Sequence, residues 1–358
     1  MSPSTHPAWG RFPRTLLSRR IIPILTVLIF GSSVMGQEQV VPPVPPGITG
    51  TESRVALPAY ETGYWIVSTH ASPQSFSHEC PVFRPCVLRT DCGHGTFRAS
   101  FADMYRSLTP GVPVCINVHG SFVTWQDVYH QSQLTWKWLR YASCGQPAQL
   151  INLTWPSDCP IISPTVNCDV TLLGRRAARN GWYLAELIRY IPPECPICLI
   201  GHSHGARLIA SALHLMGGGS VQGVCHPASR PHGRRIRTVF AAAAIRHDSL
   251  NPGKRYGRAF CTTECLINLR NSRDIVLTLY PLRHPFAGRA LGTTGFTRRD
   301  HRDLRGWSRR VYDYDVARWL GHRHMWPGYI RWPNLAILIR NYVYFPDQYK
   351  MAAASLTP

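Results

Sequence analysis

The chain has 358 residues, 44% of them hydrophobic, which is enough for one large α/β domain or two small ones and too apolar for a wholly disordered chain. Lys and Arg total 39 against 19 Asp and Glu, a formal net charge of +20. Lys137, Lys254 and Lys350 are the only lysines; the arginines are scattered and no nucleic-acid module accompanies them, which argues against a dedicated nucleic-acid groove. The densest groups, Arg230 to Arg237 and Arg298 to Arg310, read as solvated basic loops, with membrane surfaces or acidic polymers as the partners such charge would otherwise meet.

In chain order, Arg11, Arg14, Arg19 and Arg20 precede an apolar run over 21–30, and small residues through Gly36 offer a cleavage site. Residues 1–36 therefore read as an export signal or an uncleaved anchor, and the protein as periplasmic, cell-surface or secreted. A Pro- and Val-rich linker over 37–50 leads into a Cys-containing segment over 51–110, a core over 111–346 and a flexible tail over 347–358. A strand is expected over 64–69 and loops through Asp91. The repeating part follows: strand 112–118, helix 125–141, strand 149–155, helix 172–190, a strand through Ile197, Leu199 and Ile200, and helix 206–216. Strands over 238–245, 265–269 and 311–316 and a helix over 334–344 complete it, the last with Leu335, Leu338, Ile339 and Tyr342 on one face. Such alternation implies a mostly parallel sheet covered by helices on both faces.

Twelve cysteines, all beyond the signal-like segment, are an even number in a chain read as exported, so disulfides are expected. Cys80, Cys86 and Cys92 with Cys144, Cys159 and Cys168 could staple the N-terminal half. Cys195-Pro-Ile-Cys198 has redox-motif spacing but leads into a strand rather than opening a helix, which favours packing or a structural bridge. No second Cys-x-x-Cys completes a zinc set, and neither metal nor cofactor is expected.

The most informative segment is Gly201-His202-Ser203-His204-Gly205, set between an apolar strand and an amphipathic helix. This is the Gly-x-Ser-x-Gly elbow, in which a sharp strand-to-helix turn exposes the serine and leaves no room for side chains two residues to either side. A serine hydroxyl is a poor nucleophile at neutral pH, so Ser203 needs a histidine to take its proton and a carboxylate to orient that histidine. When the order is serine, acid, histidine, the acid follows a later strand. Asp274, in the polar loop after 265–269, fits best, and Asp248 competes with it. The histidine should precede the last helix, where Gly321-His322-Arg323-His324 offers two; spacing does not separate them, and His322, directly after glycine, is taken slightly ahead. The developing oxyanion needs backbone donors: the amide of His204, and that of Ser121 or Phe122 in the His119-Gly120 loop, where Gly120 lets the backbone approach.

In order, Val118-His119-Gly120, Trp155-Pro156-Ser157, the Gly-His-Ser-His-Gly elbow and Gly321-His322 resemble an uncharacterised α/β-hydrolase family of the esterase/lipase superfamily, over roughly residues 64–344. Members often have Met where this chain has His204, and Ser with an aromatic where it has Arg323-His324. The resemblance implies an α/β-hydrolase fold and serine-esterase chemistry on a small-molecule or lipid ester, with His119, Gly120, Gly201 and Gly205 shaping the site. Two other readings are weighed beside it. One is a metal-dependent hydrolase using His119, His202, His204, His322 and His324, although no His-Glu-x-x-His run is present. The other is a catalytically silent hydrolase fold that binds polyanions.

Overall fold

In a computed structural model, which describes residues 59–75, 81–158, 166–227, 233–283 and 288–347, nine strands form one sheet. The strands are β1 (Gly63–Ser68), β2 (Cys86–Asp91), β3 (Gly95–Ala99), β4 (Val114–Val118), β5 (Gln149–Thr154), β6 (Ile197–His202), β9 (Ile236–Ala241), β10 (Cys265–Arg270) and β11 (Val311–Asp315). Strands β7 (Ser220–Val221) and β8 (Val224–Cys225) form a separate small hairpin. Across the sheet the order is β11-β10-β9-β6-β4-β5-β1-β2-β3. All pairings from β1 to β11 are parallel, and β1–β2 and β2–β3 are antiparallel. The expected export signal, the linker and the tail beyond Asp347 lie outside the described residues, as do Cys80, Cys159 and the side chain of Cys168.

Helices α1 (Trp125–Tyr141), α2 (Val166–Tyr190), α3 (His204–Met216), α4 (Ile275–Thr278) and α5 (Pro333–Tyr344) carry most of the packing and the site. Strand residues alternate between two apolar layers. Ile197 and Leu199 join Leu184, Leu208 and Ile209 on the face covered by α2 and α3. Cys198 and Ile200 join Trp138, Leu335 and Ile339 on the face covered by α1 and α5. Both faces are thus dry, as the near-continuous apolar strands require.

Register decides where the loops meet. Val118 is level with Gly201, and His202 with Ala241, so the chain leaves β4, β6 and β9 at one edge of the sheet. Leu269 is level with Ala241 and Arg270 with Asp315, which brings the ends of β10 and β11 to the same edge. The carboxyl edge of a parallel sheet is where active-site loops gather.

Two expectations are corrected. Residues 86–91, expected as loop, form β2, which pairs with β3, a strand the sequence reading did not assign; Val87 and Leu88 are buried, but β3 has no buried position, so hydrophobic alternation could not reveal it. The nine described cysteines, Cys86, Cys92, Cys115, Cys144, Cys195, Cys198, Cys225, Cys261 and Cys265, are free thiols rather than a disulfide framework. Cys115, Cys195 and Cys198 are buried and act as small apolar side chains, while Cys92, Cys144, Cys225 and Cys261 are exposed.

Candidate active site

Ser203 sits between β6 and α3 with φ 53° and ψ −118°, a backbone region that L side chains rarely adopt. Such a conformation costs on the order of 1–3 kcal/mol and persists only where neighbours enforce it. Here they do. The Ser203 amide donates to the Ala241 carbonyl at 2.9 Å, and its own carbonyl accepts from the amides of Ala244 at 3.1 Å and Ala206 at 3.2 Å.

The flanking glycines have steric reasons. A Cβ on Gly201 would lie 2.7 Å from the Ala206 amide nitrogen, and one on Gly205 would lie 2.2 Å from the Val118 carbonyl oxygen. No side chain fits at either position, because Gly201 packs against the start of α3 and Gly205 against the end of β4. Gly120 serves the same end from the other side, because a Cβ there would stand 2.9 Å from His202 Nδ1 and 3.0 Å from Ser203 Cβ.

Ser203 Oγ is 3.0 Å from His324 Nε2, and His324 Nδ1 is 2.7 Å from Asp274 Oδ2. Asp274 is fully buried and caps α4, its Oδ1 accepting from the Leu277 amide at 3.0 Å. With one carboxylate oxygen on the cap, the other is aimed at the imidazole. His324 Nδ1 therefore carries the proton it donates to Asp274, leaving Nε2 as the acceptor facing Ser203.

His322 does not join this row. It is exposed, and its Nδ1 lies 3.0 Å from the Arg273 carbonyl, which corrects the slight preference given to it over His324. Gly321, at φ 57°, turns the chain out of the preceding short helix, and the loop that follows brings the second histidine rather than the first to Ser203. Asp248, the competing acid, is ion-paired with Arg246 at 2.8 Å.

Two side chains fasten the histidine loop: Asn271, which sequence reading did not single out, and His202, which it named only as a candidate metal ligand. Asn271 Nδ2 donates to the carbonyls of Gly321 at 3.0 Å and Arg323 at 2.9 Å, and Asn271 is fully buried at the end of β10. His202 Nε2 donates to the His324 carbonyl at 2.7 Å. Burial, followed by the neighbouring His324, pushes the His202 pKa down to about 3, so it stands neutral beside the site.

On the oxyanion side, the Ser121 amide makes no hydrogen bond among the described residues, whereas the Phe122 amide donates to the Ser157 carbonyl at 2.9 Å. That bond removes Phe122 as a donor, a correction to the expected pair of alternatives. His204 opens α3, and first-turn amides have no acceptor within their own helix. Its side chain is 2.6 Å from Ser121 Oγ, which ties the loop after β4 to the elbow. His119 is a buried brace: its Nδ1 donates to the Gly120 carbonyl at 2.8 Å, its Nε2 accepts from Thr154 Oγ1 at 2.8 Å, and its ring stacks on Trp155. Burial pushes its pKa down to about 4. Trp155 Nε1 in turn donates to the His119 carbonyl at 3.0 Å, so Trp155-Pro156-Ser157 shapes the loop through Trp155 and Ser157.

Among the described residues no three His, Cys, Asp or Glu side chains gather in a way that could hold a metal ion. The row from Ser203 to Asp274 has the connectivity that lets a hydroxyl lose its proton to an imidazole as it attacks an electrophilic carbon.

No protein-family model matches the sequence, and no curated protein matches it. Among solved structures nine chains match. One is a novel cutinase-like protein from Cryptococcus sp., with 13% sequence identity, a TM-score of 0.28 and coverage of 67% of this chain and 98% of that one.

Proposed function

We propose that the protein is a serine hydrolase of the α/β-hydrolase type that cleaves carboxylic esters, of small molecules or lipids, through an acyl-enzyme on Ser203. The observation that carries this reading is the continuous hydrogen-bonded row of Ser203, His324 and Asp274, with the serine held at a strained elbow between strand and helix. Ser203 Oγ attacks the acyl carbon while His324 Nε2 accepts its proton. Asp274 keeps the imidazole in the required tautomer and stabilises the imidazolium that forms. The amides of Ser121 and His204 face the developing oxyanion. Collapse of the tetrahedral intermediate expels the alcohol, which takes the proton from His324, and a water repeats the sequence to release the acid.

His202 and Asn271 are positioning residues in this scheme, because they hold the backbone that carries His324. The test is turnover of a panel of 4-nitrophenyl and methyl esters of graded acyl length by the wild type and by Ser203→Ala. Hydrolysis of at least one ester that disappears in the variant is expected. Turnover that survives Ser203→Ala would overturn the reading.

A further inference from the structure

Two arginines are buried among the described residues, Arg89 and Arg207, at 5% exposure each. Arg89 has an acid at hand, Asp91, at 3.7 Å. Arg207 has none: no ion pair among the described residues includes it. Its Nε and Nη2 donate to the Ala244 carbonyl at 3.2 and 2.7 Å, and Nη2 also donates to the Tyr280 hydroxyl at 2.9 Å. Both acceptors are neutral. A guanidinium keeps its charge in any such setting, and a buried cation without a counter-charge is an unfavourable arrangement that packing alone does not explain.

The position of this cation matters. Arg207 lies one helical turn beyond Ser203 on α3 and on the same side as His204, three residues before it. Its Nη1, unlike Nε and Nη2, makes no hydrogen bond among the described residues. Gly174 in the interior of α2 makes room for it: a Cβ there would fall 2.6 Å from Arg207 Nη1 and 3.4 Å from His204 Nε2. A helix-interior glycine is destabilising relative to alanine, and here it lets the charged nitrogen pack closely against the helix. The His204 ring that borders the same position reaches Ser121 Oγ through its Nδ1 at 2.6 Å, on the oxyanion side of the site. Asp274 is committed to His324 and Asp248 to Arg246.

Resting on the esterase reading of Ser203, we propose that the site takes esters bearing an anionic group, carboxylate or phosphate, and that Arg207 Nη1 is the cation that binds it. Arg207 is a specificity residue in this assignment. The anionic group of the substrate supplies the counter-charge that Arg207 lacks in the free protein. One charge-assisted hydrogen bond of this kind discriminates by about tenfold to a hundredfold.

The test uses the full chain and three chain-matched 4-nitrophenyl esters: a neutral hexanoate, the ω-carboxylate half-ester of adipic acid, and the corresponding ω-phosphate. In the wild type, kcat/KM for one of the charged esters should exceed that for the neutral ester by about tenfold or more. Which of the two leads tells carboxylate from phosphate. The ratio should fall to parity in Arg207→Gln and be partly kept in Arg207→Lys. If circular dichroism shows that these variants do not fold, Gly174→Ala provides the second reading, since the added methyl displaces Nη1 and should lower the same ratio. Parity between neutral and charged esters in the wild type, or a preference that Arg207→Gln and Gly174→Ala leave intact, would overturn the assignment and make Arg207 a brace for Ala244 and Tyr280. Failure of the esterase reading is distinguishable, because then none of the three esters is turned over by Ser203.

Discussion

His202 Nε2 stands 2.7 Å from the main-chain oxygen of His324, so the residue before the nucleophile fastens the loop that carries the base. The side chain that shapes the elbow thereby also sets the distance between Ser203 and its proton acceptor. Replacing it by phenylalanine keeps the ring that packs on Trp326 and Tyr329 but removes the donor. His202→Phe should lower kcat by about 100-fold, the penalty of an ångström-scale misplacement, with a smaller change in KM. Steady-state kinetics on the best ester checks this; unchanged kcat would mean that the bond does not position the loop.

Asn271 makes the second attachment, from the end of β10 to two carbonyls of the same loop. Asn271→Ala leaves the Gly321 and Arg323 carbonyls without that donor and should lower both kcat and the melting temperature. A loss of stability on the order of 1–3 kcal/mol is expected from the buried unsatisfied groups. Urea unfolding monitored by fluorescence measures it, and wild-type stability would contradict the assignment.

The glycines of the elbow make a steric prediction. Gly205→Ala places a methyl against the Val118 carbonyl and should destabilise by about 3 kcal/mol, the upper end of over-packing penalties, or prevent folding. Gly306→Ala, where a Cβ meets nothing within 4 Å, should be neutral within about 0.5 kcal/mol. Equal melting temperatures for the two would refute the close approach of elbow and β4.

Stability should also depend on pH. His119 and His202 are buried neutral, with pKa values pushed down to about 4 and about 3 from the ordinary 6.5. Below pH 6.5 the unfolded chain binds protons that the folded chain refuses, so stability falls as pH falls from 6.5 towards 4, and the two residues add nothing to the slope above pH 7. Each refused proton contributes about 1.4 kcal/mol per pH unit within that window. Urea midpoints at pH 7, 6 and 5 test this, and midpoints that do not move would show that these rings ionise in place.

The sequence made some of this legible and hid the rest for identifiable reasons. Strands β4, β5, β6 and β10 and helices α1 and α5 were found nearly to their ends, because long apolar runs and helical spacing survive in one dimension. Helices at Phe101–Ser107 and Arg298–Leu304 were missed although each opens on a capping box, Ser100 with Asp103 and Thr297 with Asp300. Both are only seven residues long, too short for a periodic apolar face. Ser203 and Asp274 were legible from order along the chain, but order cannot separate His322 from His324 two residues apart; the turn at Gly321 does that. Asn271 and His202 act on backbone atoms, His202 on a residue more than a hundred positions away, and no local pattern marks such a partner.

Activation of Ser203 by His324 is read directly by covalent labelling of the folded protein with a fluorophosphonate, the adduct located by peptide mass, in the wild type and in Ser203→Ala, His322→Ala and His324→Ala. An adduct is expected to form on Ser203 in the wild type, persist in His322→Ala, slow by about 100-fold or more in His324→Ala and be absent in Ser203→Ala. An unlabelled wild type, or labelling that depends on His322 rather than His324, would contradict that activation.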